Sequence, residues 1–253
     1  MAVKIYVDVN FSHYKNELVE FGAKEISGTT IKQQGIPYNS WYLNEWDGIF
    51  QSPADIAASP EHYYAVRPGT IKIKDINGDG KANLDDRVVV GGKYPDFTYG
   101  LNLNLQWKGF DLSAFFLGVQ GIKFYVMQWG LEPFSQGSRP PVKWIDAWTA
   151  ENGSNKLPYL YFADRETSNR QNSTFWLMDG SYFKLKNLQI GYNIPNHAVK
   201  RIGLAEARVY LSGDNLMTIT NFEGFDPERN PGQSRFGEYP QVKIYSIGIR
   251  VKF

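Results

Sequence analysis

The chain has 253 residues, no cysteine and a formal net charge of +1. These values exclude disulfides, thiolate metal sites and cysteine nucleophiles, and they leave no global field that would draw in nucleic acid. Aromatic residues make up 15% of the chain, an enrichment shared by sugar-binding surfaces and by the girdles at the rims of membrane barrels.

No apolar run reaches the roughly 18 residues of a spanning helix. Strands that alternate lipid-facing and lumen-facing residues need no such run. The chain opens on Met1-Ala2-Val3-Lys4-Ile5-Tyr6, a strand pattern and not a signal peptide. An outer-membrane protein has to be exported, so the natural N-terminal part is expected to lie outside this sequence, and residues 1–253 to be a fragment.

In chain order, the first expected strand covers residues 3–11, and a long connection over 12–96 follows. Phe97, Tyr99, Leu101, Leu103, Leu105 and Trp107 then alternate with Thr98, Gly100, Asn102, Asn104 and Gln106. Lys108-Gly109 reads as a two-residue hairpin turn into a third strand from Phe110 through Phe116. A second long connection spans 120–180. Strands over 181–193 and 205–215 are separated by the short stretch 194–204, and a third long connection covers 216–240. In the last strand, from Gln241, Tyr245, Ile247, Ile249, Val251 and Phe253 share one face, while Ser246, Gly248, Arg250 and Lys252 share the other.

Six strands therefore alternate long and short connections without exception. This is the pattern of a barrel with extracellular loops on one side and periplasmic turns on the other. The expected fold class is all-β: about six antiparallel strands with long extracellular loops, the C-terminal part of a large transmembrane β-barrel. Six strands leave two open edges, which lipid does not tolerate. Further strands are expected from outside this sequence.

The sharpest local motif is Asp75-Ile76-Asn77-Gly78-Asp79-Gly80-Lys81-Ala82-Asn83-Leu84-Asp85-Asp86. It matches the twelve-position calcium loop, with Asp75, Asn77 and Asp79 ligating through side chains, Lys81 through its carbonyl and Asp86 from the far end. Its flanks look extended, so a Ca2+ here would stabilise a loop rather than drive a sensor. The competing reading is a metal-free Asp/Asn/Gly turn. Trp144 and Trp148, four apart, would share a face of a short helix, either as a stacking platform for a sugar or peptide or as anchors of their loop. His13, His62 and His197 have no metal-ligand spacing, and no nucleophile elbow or phosphate loop occurs, so no enzymatic activity is expected.

Several stretches together resemble the SusC/RagA family of TonB-dependent transporters. They are Asp47-Gly48-Ile49-Phe50-Gln51; 75–87 running into Phe97-Thr98-Tyr99-Gly100; 108–116 with Gly118-Val119-Gln120-Gly121; 176–187 with Gly191-Tyr192; Gly213-Asp214-Asn215-Leu216; Gly224-Phe225-Asp226-Pro227-Glu228; and the terminal strand. The resemblance implies a barrel of about 22 strands with an N-terminal plug, both the plug and a signal peptide being absent here. It implies residence in the cell outer membrane and a SusD-like surface lipoprotein as partner. It also implies energy from TonB-ExbB-ExbD through the absent N-terminal part, and import of oligosaccharides or peptides. The terminal strand, with Tyr245, Ile247, Ile249, Val251 and Phe253, resembles the signal read by the outer-membrane assembly machinery. The alternative reading is a soluble or surface-attached calcium-stabilised β-domain that binds carbohydrate.

Overall fold

The computed structural model describes residues 2–127, 132–134, 137–162, 167–228 and 241–253. Six long strands form one antiparallel sheet: β1 (Lys4–His13), β2 (Phe97–Trp107), β3 (Phe110–Gln120), β4 (Tyr182–Asn193), β5 (Glu206–Thr220) and β6 (Ile244–Lys252). Each pairs with its neighbour in the sequence, so the sheet is an up-and-down meander in chain order.

Directly opposed residues in an antiparallel pair point to the same face, and the register sorts the faces cleanly. One row across the sheet reads Ile5, Leu105, Leu112, Ile190, Leu211, Ile247. The adjacent row reads Tyr6, Asn104, Ser113, Gln189, Ser212, Ser246. A shift of one residue in any strand would mix the two, so the alternation fixes the register of all six strands. The apolar row is not covered by protein: Ile5 is 58%, Leu211 58% and Ile247 75% exposed. A soluble sandwich would bury this face under a second sheet, whereas a barrel wall presents it to lipid.

The connections β2–β3 and β4–β5 are short and lie at one end of the sheet. Lys108 and Gly109 both take positive φ (46° and 87°), the mirror-image turn that suits a twisted two-residue hairpin. Residues 194–205 hold a helical turn, Asn196–Val199 and Lys200–Ile202, ended by Gly203 at φ 79°. The three long connections all leave from the other end.

Those connections hold most of the core. Among the described residues, the only buried hydrophobic side chains on the six long strands are Ala114, Val119, Tyr182 and Ala207. Ile31, Leu43, Ile49, Phe50, Ile71 and Ile73, by contrast, all lie in the first connection and are buried. Thr30–Lys32, Ser40–Asn44 and Arg87–Val89 pair there, as do Trp46–Ile49 and Ile71–Ile73. The second connection contributes the pair Lys123–Tyr125 and Leu177–Asp179 and a cluster around Trp144, Ala147, Tyr161 and Trp176.

The two connections are sewn together by buried amides and hydroxyls. Gln171 Nε2 donates to Asn44 Oδ1 (3.1 Å), and Asn44 Nδ2 donates to the Asn83 carbonyl (2.6 Å). The Ile71 N–H donates to Asn169 Oδ1 (2.9 Å), and Ser168 Oγ to the Ile71 carbonyl (2.6 Å). Burying such groups costs free energy unless they are paired, so these bonds specify how the two loops meet.

Two strands run further than the sequence pattern shows. β3 continues from Phe116 to Gln120 because its lumen side there is covered: Val119 is buried in a cluster with Ile122, Phe124 and Phe222, and Leu117 packs against that cluster. β5 continues from Asn215 to Thr220 past a register shift, at which Asn215 takes φ 54° and breaks the alternation.

Candidate functional site

Where the three long connections meet there is a cavity of 310 Å³. Its wall takes Trp46 from the first connection, Leu157, Phe175, Trp176 and Met178 from the second, and Glu223 from the third. Pro140-Pro141 leads into a 3₁₀ turn, Val142–Asp146, that drives Trp144 inward, edge-on to Tyr161 at 6.1 Å. The flanking Lys143 and Asp146 are thereby left at the cavity mouth, where Lys143 donates to Glu223 and ties the second connection to the third. The floor is aromatic: Phe175 lies edge-on to Trp46 (5.4 Å) and to Trp176 (4.8 Å). Its volume sits at the small end of ligand pockets, about 300–1,000 Å³.

Trp144 and Trp148 do not form one platform. The helical turn is 3₁₀ and stops at Asp146, and Ala147 is already extended (φ −61°, ψ 153°), so the four-residue spacing no longer puts both rings on one face. Trp144 is 1% exposed inside the loop core. The Trp148 ring instead lies against Gly69, with Nε1 donating to Gln51 Oε1 at 3.1 Å. Gly69 has φ 88°, and any side chain there would collide with that ring.

The loop over residues 75–86 is built from successive side-chain-to-backbone turns. The Gly78 and Gly80 N–H groups donate to the Asp75 carboxylate, Asp79 N–H to Asn77 Oδ1, and Lys81 N–H to Asp79 Oδ1. Asp86 is fully buried and accepts from the N–H groups of Ile76, Asn77 and Asn83. Burial pushes its pKa up, but the three N–H donors outweigh that and hold it below the ordinary carboxylate value. The oxygens of Asp75 and Asp79 keep spare lone pairs. Among the described residues, however, no three carboxylates or imidazoles gather closely enough to hold a metal. A cation at this loop would have to depend on Asn77 and backbone oxygens such as that of Lys81, with Asp86 as a strut beneath.

A second polar centre carries no signal in the strand pattern. Lys184, on the lumen side of β4, is 2% exposed and donates to Asp226 and Glu228 (2.9 Å to Glu228). Lys186, at the register shift of β4, donates to Glu228 (2.9 Å) and to Gln241 Oε1 (2.8 Å). Desolvation raises the pKa of Asp226 and Glu228, but Lys184 with the Glu228 and Gln241 N–H groups at Asp226, and Lys184 with Lys186 at Glu228, more than offset it, so both carboxyls lie below their ordinary values. This centre clasps the start and end of the third connection to the sheet. The spacing Asp226-Pro227-Glu228 was legible in the sequence, but its lysine partners, 42 residues upstream, were not. Residues 229–240 lie outside the described residues.

Tyr245, Ile247, Ile249 and Val251 line the apolar face of β6, 74%, 75%, 70% and 44% exposed, and Phe253 follows the strand at 90%.

No family model matches the chain. TonB-dependent receptor P3 of Formosa agariphila is 29% identical over 270 residues, covering 96% of this chain and 26% of that protein. TonB-dependent receptor P26 of the same organism is 33% identical over 217 residues, covering 81% and 22%. TonB-dependent receptor SusC of Bacteroides thetaiotaomicron is 24% identical, covering 93% and 22%. The chain thus spans about a quarter of the length of the curated relatives it matches. Among solved structures, a chain of the RagAB peptide transporter superposes with a TM-score of 0.76 at 26% identity, covering 99% of this chain and 27% of that one. The closed-closed state of the RagAB peptide importer gives 0.75 at 26% identity. An uncovered apolar face, a polar face opposite, loops gathered at one end and these likenesses converge: the chain belongs to the SusC/RagA family of TonB-dependent receptors and forms part of their outer-membrane β-barrel.

Proposed function

We propose that this chain supplies six strands of the wall, and the surface loops above it, in a TonB-dependent nutrient importer. The observation that carries the reading is the pair of rows across the sheet, one wholly apolar with no protein layer over it, the other polar apart from the Tyr6 ring. In this role the polar row lines the lumen, the short turns face the periplasm and the connections over 14–96, 121–181 and 221–243 face the outside. The cavity between those three connections is the substrate-contacting part of this chain, and oligosaccharides or peptides are its substrates. The peptide named for the RagAB structures and the SusC likeness support these two classes. The role is transport rather than catalysis.

The same reading assigns a SusD-like lipoprotein to the loop side, TonB-ExbB-ExbD as energy source for the whole receptor, and the strand ending at Phe253 to recognition by the assembly machinery. For loop 75–86 it assigns a weak calcium site, because few charged oxygens converge and affinity weakens as charged ligands are lost, to about 10⁻⁴–10⁻³ M in extracellular modules. Uptake of labelled peptides and oligosaccharides by cells with and without the receptor tests the proposal. Loss of one of the two classes on deletion supports it; unchanged uptake of both contradicts it.

A further inference from the structure

We propose that the short-turn end of the sheet binds the headgroups of anionic phospholipids. The proposal rests on the barrel reading above, which puts this end in the leaflet nearest the short turns. Residues 107–110 and 194–205 contain Lys108, Lys200 and Arg201 and no Asp or Glu. In sequence, every acidic residue other than Asp8, Asp111, Glu206 and Asp214 belongs to one of the three long connections. Of the acids at this end, Asp111 adjoins the first turn but is paired with Arg208, and Glu206 lies beside Lys252 at 3.9 Å.

Geometry brings Lys108 to the lipid side and leaves Lys200 and Arg201 in an exposed turn beside it. Trp107 and Phe110 are paired across the hairpin, in phase with Leu105 and Leu112 on the apolar face, and stay 45% and 50% exposed. Lys108 Nζ sits 5.1 Å from the centre of the Trp107 ring, so its charge lies at the rim of the apolar band rather than over the lumen. The two turns are held side by side, with Asn193 donating to the Gly109 carbonyl from its backbone N–H (2.8 Å) and from Nδ2 (3.2 Å). In the second turn Val199 is buried, which anchors the turn, while Ile202 stands out, 72% exposed, next to Lys200 and Arg201. Aromatic and aliphatic groups at interface depth with cations just beyond them match the two halves of a phospholipid: acyl chain below, phosphodiester above. Charge complementarity selects the anionic headgroup over the zwitterionic one.

The test uses the receptor that carries this chain, inserted in bilayers of phosphatidylethanolamine with phosphatidylglycerol, with the lipids retained by the protein counted by mass spectrometry. The expected result is enrichment of phosphatidylglycerol, lowered about fivefold by each of Lys108→Gln, Lys200→Gln and Arg201→Gln. Equal retention of both lipids, or enrichment that survives the triple variant, overturns the proposal. So does variant-sensitive retention of lipopolysaccharide in place of phospholipid. A receptor that fails to enter bilayers at all overturns the barrel reading instead, an outcome that failure of insertion alone distinguishes.

Discussion

The sheet and the loop body of this chain are stabilised in opposite ways. The sheet has long, regular strands and almost no buried side chains, and its apolar row from Ile5 to Ile247 faces outward. The loop body has strands of two to five residues, yet it buries Leu43, Phe50, Ile71 and Ile73 almost completely, along with Asn44, Ser168, Asn169 and Gln171. Hydrogen-bonded regularity and self-contained burial are therefore separated in space. The sheet relies on a ladder of backbone bonds and on lipid for its apolar face, while the loops carry a core of the kind a soluble domain has. Lys184 sits on the boundary, a strand residue buried because a loop folds down on it.

That contrast gives separable expectations. The largest effect belongs to the loop core: Phe50→Ala, at a fully buried site, should cost about 3–5 kcal/mol. It should loosen proteolytic protection of the loops while leaving insertion of the barrel intact. At the boundary, Lys184→Ala strands Asp226 beside a lost partner and should cost about 3 kcal/mol, the low end for a broken buried pair, because Glu228 retains Lys186. Hydrogen exchange over 221–228 would report it. In the sheet, Leu103→Arg should cost about 2–4 kcal/mol at mid-membrane, whereas Asn104→Arg, one residue along and on the polar face, should be tolerated. Heat-modifiable migration of the folded receptor separates the two.

Smaller again is a pH effect confined to the loops. His62 Nδ1 lies 2.8 Å from the Pro60 carbonyl and Nε2 accepts from the Ile73 N–H at 3.2 Å, so the ring is held neutral; burial lowers its pKa below 6.5. The unfolded loop then binds the extra proton first. The contribution is complete above the unfolded pKa and is lost as the pH falls through 6.5 toward the folded value. Loop protection should accordingly drop between neutral and mildly acid pH, and His62→Gln should flatten that drop. The smallest expected effect is that of calcium at residues 75–86: chelation should shift the loop melting temperature only slightly, and a large fall would show a tighter site than the geometry allows.

How far the sequence could be read follows the same division. Strand residues such as Phe97 to Trp107 carry a period of two because each face meets one medium along its whole length. The alternation fails where that condition fails. At Leu117 to Gln120 the lumen side is covered by loop residues and turns apolar as well; at Asn215 an irregular pairing shifts the phase. In the loop body no periodicity exists to be read. Ser168, Asn169, Gln171 and Ser173 form a stretch as polar as any solvated linker, and all four are at most 1% exposed. Their burial depends on partners such as Ile71 and Asn44, 98 and 127 residues away in sequence, which local pattern does not encode. Trp144 and Trp148 show the same limit, since their spacing is informative only on an α-helix and the chain forms a 3₁₀ turn there.

The central claim, that this sheet is a wall between lipid and a wet lumen, is most directly tested along β2, a strand with neighbours on both sides. The chain has no cysteine, so single cysteines at each position from Thr98 to Gln106 can carry a spin label in the membrane-inserted receptor. Collision with oxygen, which concentrates in lipid, and with a water-soluble nickel chelate would then be measured. The account predicts oxygen access at Tyr99, Leu101, Leu103 and Leu105, chelate access at Asn102, Asn104 and Gln106, and shielding from both at Thr98 and Gly100, which lie opposite the loop-covered Val119 and Leu117. Chelate access at every position, or oxygen and chelate profiles that rise and fall together, would contradict it.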